Sequence, residues 1–296
     1  MENLKVTIFG DSIFKGIATK NGKIEKLQNN VVSMVIKKLG IDAENISVYG
    51  QTLSRLVERE YIDKYLSKLN SDFTNVAIIS LGGNDADYDW KAVASAPDVD
   101  HLSKTPLNKF EVLLENTVKK LKAKGVDVIL TTIPPVDSQR YFDNVICKIA
   151  DGNAVLKFFN GDVQNIYRHQ ESYNYAIIKV AQKQNCKLFD IRSTFLQDRA
   201  FLSKLCEDGI HPNEQGHAVM AEEILKQLEK IIWKIWLLVQ NQPVIYQKRL
   251  LINMALKLPL LTILLMAKNT IQKQTTWKKK SFMKKWKMGQ MSKHRK

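Results

Sequence analysis

Hydrophobic positions along the chain fall into two alternating patterns. Short apolar runs rich in β-branched residues occupy 5–9, 45–49, 76–81, 126–132 and 187–191. Runs of this length with little polar alternation predict strands buried on both faces. Apolar residues recur at helical spacing over 26–39, 53–69, 106–124, 171–184 and 213–230, which predicts amphipathic helices. Strand alternating with helix implies α/β architecture: a five-stranded parallel sheet covered on both faces, with right-handed crossovers. Such sheets bind ligands just beyond the carboxyl ends of their strands, so the residues that follow each strand are the informative ones.

Two connections, 86–105 and 136–170, are longer than a compact domain needs, as lids and binding loops often are. The second carries Tyr141, Phe142, Phe158, Phe159 and Tyr167, enough aromatic surface to wall an apolar pocket or to build a small satellite core.

Chain length changes the picture little: 296 residues suffice for one large α/β domain and an appendage. Charge changes it more. The formal net charge of +15 would point to nucleic acid or an anionic membrane. However, 231–296 holds 15 Lys and Arg and no carboxylate, which leaves 30 basic residues to balance the 30 acidic ones in 1–230. The body is neutral and the excess lies in the tail. Three scattered cysteines, Cys147, Cys186 and Cys206, exclude a disulfide framework and read as buried free thiols. With the first chemical motif only twelve residues from Met1 there is no room for an export signal, so the expected location is the cytoplasm.

Candidate functional residues follow the strands in three places, Gly10-Asp11-Ser12, Gly50 and Gly82-Gly83-Asn84-Asp85, and a fourth block, Asp208-Gly209-Ile210-His211, lies far downstream. Together they supply an acyl-transfer site. A serine hydroxyl is a weak nucleophile until an imidazole takes its proton, and the imidazole must be held in one tautomer by an acceptor on its other nitrogen. Asp208 and His211, three apart, are the candidates for that pair, with Ser12 as nucleophile. The backbone N–H of Ser12 at a helix start, the backbone N–H of Gly50, which has no side chain in the way, and the amide of Asn84 are the candidate oxyanion donors. Asp11 reads as a turn-fixing residue and Asp85 as a local backbone acceptor.

These four blocks, in this order, resemble the SGNH or GDSL family of serine esterases and lipases, and the resemblance covers essentially all of 5–230. It implies a three-layer, flavodoxin-like α/β/α fold and hydrolysis of esters or thioesters by attack of Ser12, with Ser12, Gly50 and Asn84 stabilising the oxyanion. Neither a metal nor an organic cofactor is implied. An alternative of another class is a catalytically silent carbohydrate or lipid binder using the same pocket, although a binder has no need of the Asp208 and His211 pair.

His217, six positions after His211, reads as a helix-start residue that packs or caps rather than as half of a metal pair; His101 and His169 stay unassigned. The chain has no Gly-x-Ser-x-Gly elbow, GxGxxG, P-loop or HExxH. The metal-ligand histidines of a binuclear phosphatase are missing. The tail, 231–296, takes four of the five tryptophans and five of the eight methionines. Its apolar stretch 250–267 nears the length of a membrane span, but Lys257 inside it would cost about 3 kcal/mol on insertion. The tail is therefore read either as a non-native, out-of-frame translation or as a basic interfacial membrane anchor, with nonspecific nucleic-acid contact as a lesser option. The expected organisation is a hydrolase domain over 1–230 followed by this extension. The expected substrate of the domain is a small acyl ester, an acylated sugar or lipid.

Overall fold

The computed structural model of the chain describes residues 4–240. Five parallel strands, β1 (Leu4–Gly10), β4 (Ala43–Asn45), β5 (Thr74–Ser80), β6 (Asp127–Thr131) and β7 (Lys187–Phe189), pair in the order β4-β1-β5-β6-β7. Counted within the sheet this is 2-1-3-4-5, the flavodoxin-like doubly wound order, whose switch point lies between β1 and β5. Those two strands pair along their whole length, from Leu4 with Thr74 to Gly10 with Ser80. Phe9, Ala77, Ile79, Val128 and Leu130 pack in one core with four helices. These are α3 (Leu53–Glu58), α4 (Tyr61–Leu66), α6 (Leu107–Ala123) and α10 (Asn165–Lys183). Val6, Ile8, Val76 and Ile129 alternate with that set and are also buried, as strands covered on both faces require. α2 (Val31–Leu39) and α12 (Glu214–Gln240) complete the layers, with Val31, Val32, Met220, Ala221 and Ile224 buried. The compact unit that carries the candidate site comprises Met1–Ile36 and Asp42–Gln227.

Several expectations are corrected in detail. The second sheet strand begins at Ala43, two residues before the expected run. The ladder does continue into that run, through Ile46 N–H to Ile8 O (3.0 Å) and Val48 N–H to Gly10 O (3.1 Å). The single helix expected over 53–69 is two, α3 and α4 (Tyr61–Leu66), because Glu60 adopts a left-handed conformation with φ 57°. α10 starts six residues early, and α12 runs past Lys230 to Gln240. A hairpin that was not expected, β2 (Ile17–Lys20) with β3 (Lys23–Lys26), follows the one-turn helix α1 (Ser12–Lys15). Of the three cysteines, Cys206 is buried but Cys147 is exposed, on the short helix α8 (Cys147–Ile149), so the buried-thiol reading fails there.

The long connections are folded. The first contains α5 (Trp90–Ser95). The second forms α7 (Ser138–Tyr141), a π turn (Phe142–Ile146), α8, α9 (Gly152–Phe158) and the start of α10. Their aromatics form a satellite core of Trp90, Val93, Tyr141, Ile146, Val155, Phe159 and Ile166. Among the described residues no helix is long and apolar enough to cross a membrane. The expectations for 241–296 lie outside the described residues.

Candidate active site

Ser12 opens α1, directly beyond the carboxyl end of β1. Asp11 caps that helix by accepting from the Ile13 N–H at 2.9 Å, and the αL residue Gly16 ends it after one turn. Asp208 and His211 sit on the loop before α12. There Asp208 Oδ1 accepts from the N–H groups of Ile210 and His211, each at 3.0 Å. This Asx turn bends the loop back on itself. Gly209, inside it, has φ 73° and packs so closely on α7 that a Cβ would lie 2.7 Å from Asp137 O.

The turn delivers His211 to Ser12. His211 Nε2 lies 2.9 Å from Ser12 Oγ, and His211 Nδ1 lies 2.6 Å from Asp208 Oδ2. All three residues are buried. Burial pushes the Asp208 carboxyl up, but the bond to the His211 ring, the charge of that ring and the two backbone N–H groups outweigh it and leave the pKa below the usual 3.8. Asp208 therefore holds its charge at neutral pH and engages His211 Nδ1, which leaves Nε2 to face Ser12 Oγ.

Asn84, beyond the end of β5, donates from Nδ2 to Asp11 Oδ2 at 3.3 Å. Asp11 thus does more than fix its turn: it holds the amide of Asn84 beside Ser12. Burial raises the Asp11 pKa to about 6, against the pull of the Ile13 N–H and of His211. Asp85 caps at a distance instead of locally, accepting from the Leu53 N–H of α3 at 2.8 Å. Burial raises its pKa to about 7. Gly50 is joined to this group less directly. Its carbonyl accepts from Arg55 Nη1 at 3.0 Å, and its neighbour Tyr49 lays its ring against that of His211, centroids 6.3 Å apart and 18° from parallel.

A cavity of about 90 Å³ opens on Ser12, Asn84 and His211. Its walls come from both long connections: Tyr88 and Trp90 from the first, Tyr141, Phe159 and Ile166 from the second. A polar chain stiffens one wall, with the Trp90 indole donating to Tyr141 Oη (3.2 Å), Tyr141 Oη donating to Asp87 (2.8 Å) and Lys104 donating to Asp87 (2.6 Å). His169 also lines the cavity, 3.3 Å from Tyr88 Oη, whereas His101 turns back to the carbonyl of Ala96. His217 accepts at Nδ1 from the Val31 N–H that starts α2. Tyr167 lies outside the cavity wall, under the guanidinium of Arg192. Among the described residues no cluster of three or more His, Cys, Asp or Glu could hold a metal ion.

The model of the GDSL-like lipase/acylhydrolase family matches residues 8–219, the span that builds this site. The chain belongs to that family. It is accordingly a carboxylic ester hydrolase. Solved structures share the fold at low identity. A lipase/acylhydrolase from Enterococcus faecalis is 19% identical, with 76% of this chain and 95% of that one covered and a TM-score of 0.52. A lipolytic G-D-S-L protein from Veillonella parvula is 18% identical, with 75% and 97% covered and a TM-score of 0.52. Axe2, an acetylxylan esterase from Geobacillus stearothermophilus, is 18% identical, with 76% and 93% covered and a TM-score of 0.50. No curated protein matches the sequence significantly.

Proposed function

We propose that this family member hydrolyses small carboxylic esters through an acyl-serine intermediate on Ser12. The observation that carries the reading is the hydrogen-bonded series from Ser12 Oγ through both nitrogens of His211 to Asp208. As Ser12 Oγ attacks the acyl carbon, His211 Nε2 takes its proton, and Asp208 stabilises the imidazolium and fixes its tautomer. The oxyanion is received by the backbone N–H groups of Ser12 and Gly50 and by an N–H of Asn84, whose second amide hydrogen stays on Asp11. His211 then returns the proton to the leaving alcohol, and a water repeats the sequence to free the acid. Thioesters are open to the same attack.

The cavity favours a short acyl group. At about 90 Å³ it is far below the roughly 300–1,000 Å³ of sites that engulf drug-sized ligands, and its aromatic walls are braced by the Trp90–Tyr141–Asp87–Lys104 chain. The acetylxylan esterase among the structural neighbours makes acetylated sugars a reasonable first substrate to try. A series of 4-nitrophenyl esters from acetate to octanoate, with Ser12→Ala as blank, tests the reading. The expected result is a steep fall in kcat/KM beyond the shortest esters and no activity in Ser12→Ala. A rate that rises with chain length would overturn the short-acyl assignment.

A further inference from the structure

The β2–β3 hairpin reaches back to the catalytic loop. Thr19 Oγ1 donates to Asp208 Oδ2 at 2.7 Å, the same oxygen that His211 Nδ1 engages. Two more bonds seat the hairpin there: the Thr19 N–H donates to Cys206 Sγ at 3.4 Å, and the Gly22 N–H donates to the Glu207 carboxylate. Ala18, Leu27 and Cys206 pack together at the same junction. Thr19 stands seven residues after Ser12 and 189 before Asp208, so a short segment that begins at the nucleophile also holds the acid.

We infer that Thr19 is a positioning residue of the hydrolytic site, whose hydroxyl holds Asp208 Oδ2 in line with His211. The inference rests on the reading of Ser12, His211 and Asp208 given above. Asp208 Oδ1 is already filled by two backbone N–H groups, so Oδ2 is the oxygen left to orient, and Thr19 is its second donor. Without that donor the carboxylate has a second geometry open to it, and more of its negative charge falls on His211. Thr19 is not part of the cavity wall, so its loss acts on turnover rather than on substrate binding. The other ionisable groups facing the pair are Asp11 beyond β1, Tyr49 against the His211 ring, Tyr141 of α7, Cys206 and His217 of α12; of these only Cys206 meets Thr19, and the Thr19 N–H that bonds its Sγ is kept in every Thr19 variant.

The test compares Thr19→Val, Thr19→Ser and Ser12→Ala in the full chain on 4-nitrophenyl acetate across pH. Val keeps the β-branched shape that a strand favours, and Thr19→Ala carries the same comparison if Thr19→Val does not fold. Removing a charge-assisted donor is expected to lower kcat about tenfold or more, with KM nearly unchanged. The acidic limb of the profile is expected to move to higher pH, because a less satisfied Asp208 favours the imidazolium. Thr19→Ser restores both. Parental kcat and pH limb in Thr19→Val would overturn the inference, as would a Thr19→Ser variant as impaired as Thr19→Val. If Ser12→Ala is inactive while Thr19→Val is parental, only the role of Thr19 falls. If Ser12→Ala is as active as the parent, the underlying reading falls and the role of Thr19 with it.

Discussion

Buried carboxylates in this site follow two opposite pH rules, and the partners of each decide which. Asp208 has enough donors to stay charged, so its folded pKa lies below 3.8 and the stability it contributes is lost only as pH falls through that lower value. Asp11 and Asp85 lie on the other side. Their folded values, about 6 and about 7, exceed the ordinary 3.8 because burial is incompletely offset. The folded state therefore binds their protons more tightly than the unfolded chain, and each group lowers stability as pH rises from about 4 through its folded value. Asp85→Asn keeps an acceptor for the Leu53 N–H and removes the charge. Thermal melts between pH 5 and pH 8 should show a smaller loss of stability in the variant than in the parent; parallel curves would contradict the assignment. For Asn84→Ala, removing a side-chain oxyanion donor is expected to reduce kcat about 10²–10³-fold, measured against a parental KM. A parental kcat would remove Asn84 from the hole.

Among the elements, those that position the site differ in how openly the sequence announced them. β5 and β6 were legible because burial on both faces leaves a nearly unbroken apolar run, and β1 because Val6, Ile8 and Phe9 enclose only the buried Thr7. β4 was read two residues late, since its pairing begins in Ala43-Glu44-Asn45, where the sheet edge tolerates polar side chains. The β2–β3 hairpin was missed because Lys23–Lys26 is exposed and charged. Its one local cue was Asn21-Gly22, which occupies the turn with φ 52° and 70°, the geometry that Asn-Gly favours. The break at Glu60 had no Gly or Pro to mark it. Ser12, Asn84, Asp208 and His211 could be read because each belongs to a compact motif. Thr19 could not, because its bond spans 189 residues and leaves no local pattern. The loop that carries Asp208 makes its own demand at Gly209. Gly209→Ala would meet Asp137 O, Arg140 Cβ and Tyr141 N, each within 2.9 Å, at a φ of 73°. A left-handed non-glycine residue alone costs about 1–2 kcal/mol. Both a lower Tm and a lower kcat are therefore expected, and a variant with parental values of both would show that the loop is not held against α7 in this way.

Over the whole chain, charge is balanced in 1–230, with 30 basic and 30 acidic residues, whereas 231–296 holds 15 Lys and Arg and no carboxylate. The site draws on β1, β5, the two long connections and the loop before α12, all within the span that matches the family. A chain ending at Gln240 is expected to keep the kcat/KM of the full protein on small esters, as a self-contained domain should; a large loss would give 241–296 a part in catalysis. The proposed mechanism and the role of Thr19 both rest on Ser12 being the nucleophile, and labelling of the full-length protein with a fluorophosphonate, read by intact mass and peptide mapping, tests that most directly. One adduct on Ser12 is expected, absent from Ser12→Ala and formed far more slowly in His211→Gln. An active esterase that leaves Ser12 unmodified, or that carries the adduct elsewhere, would contradict the mechanism.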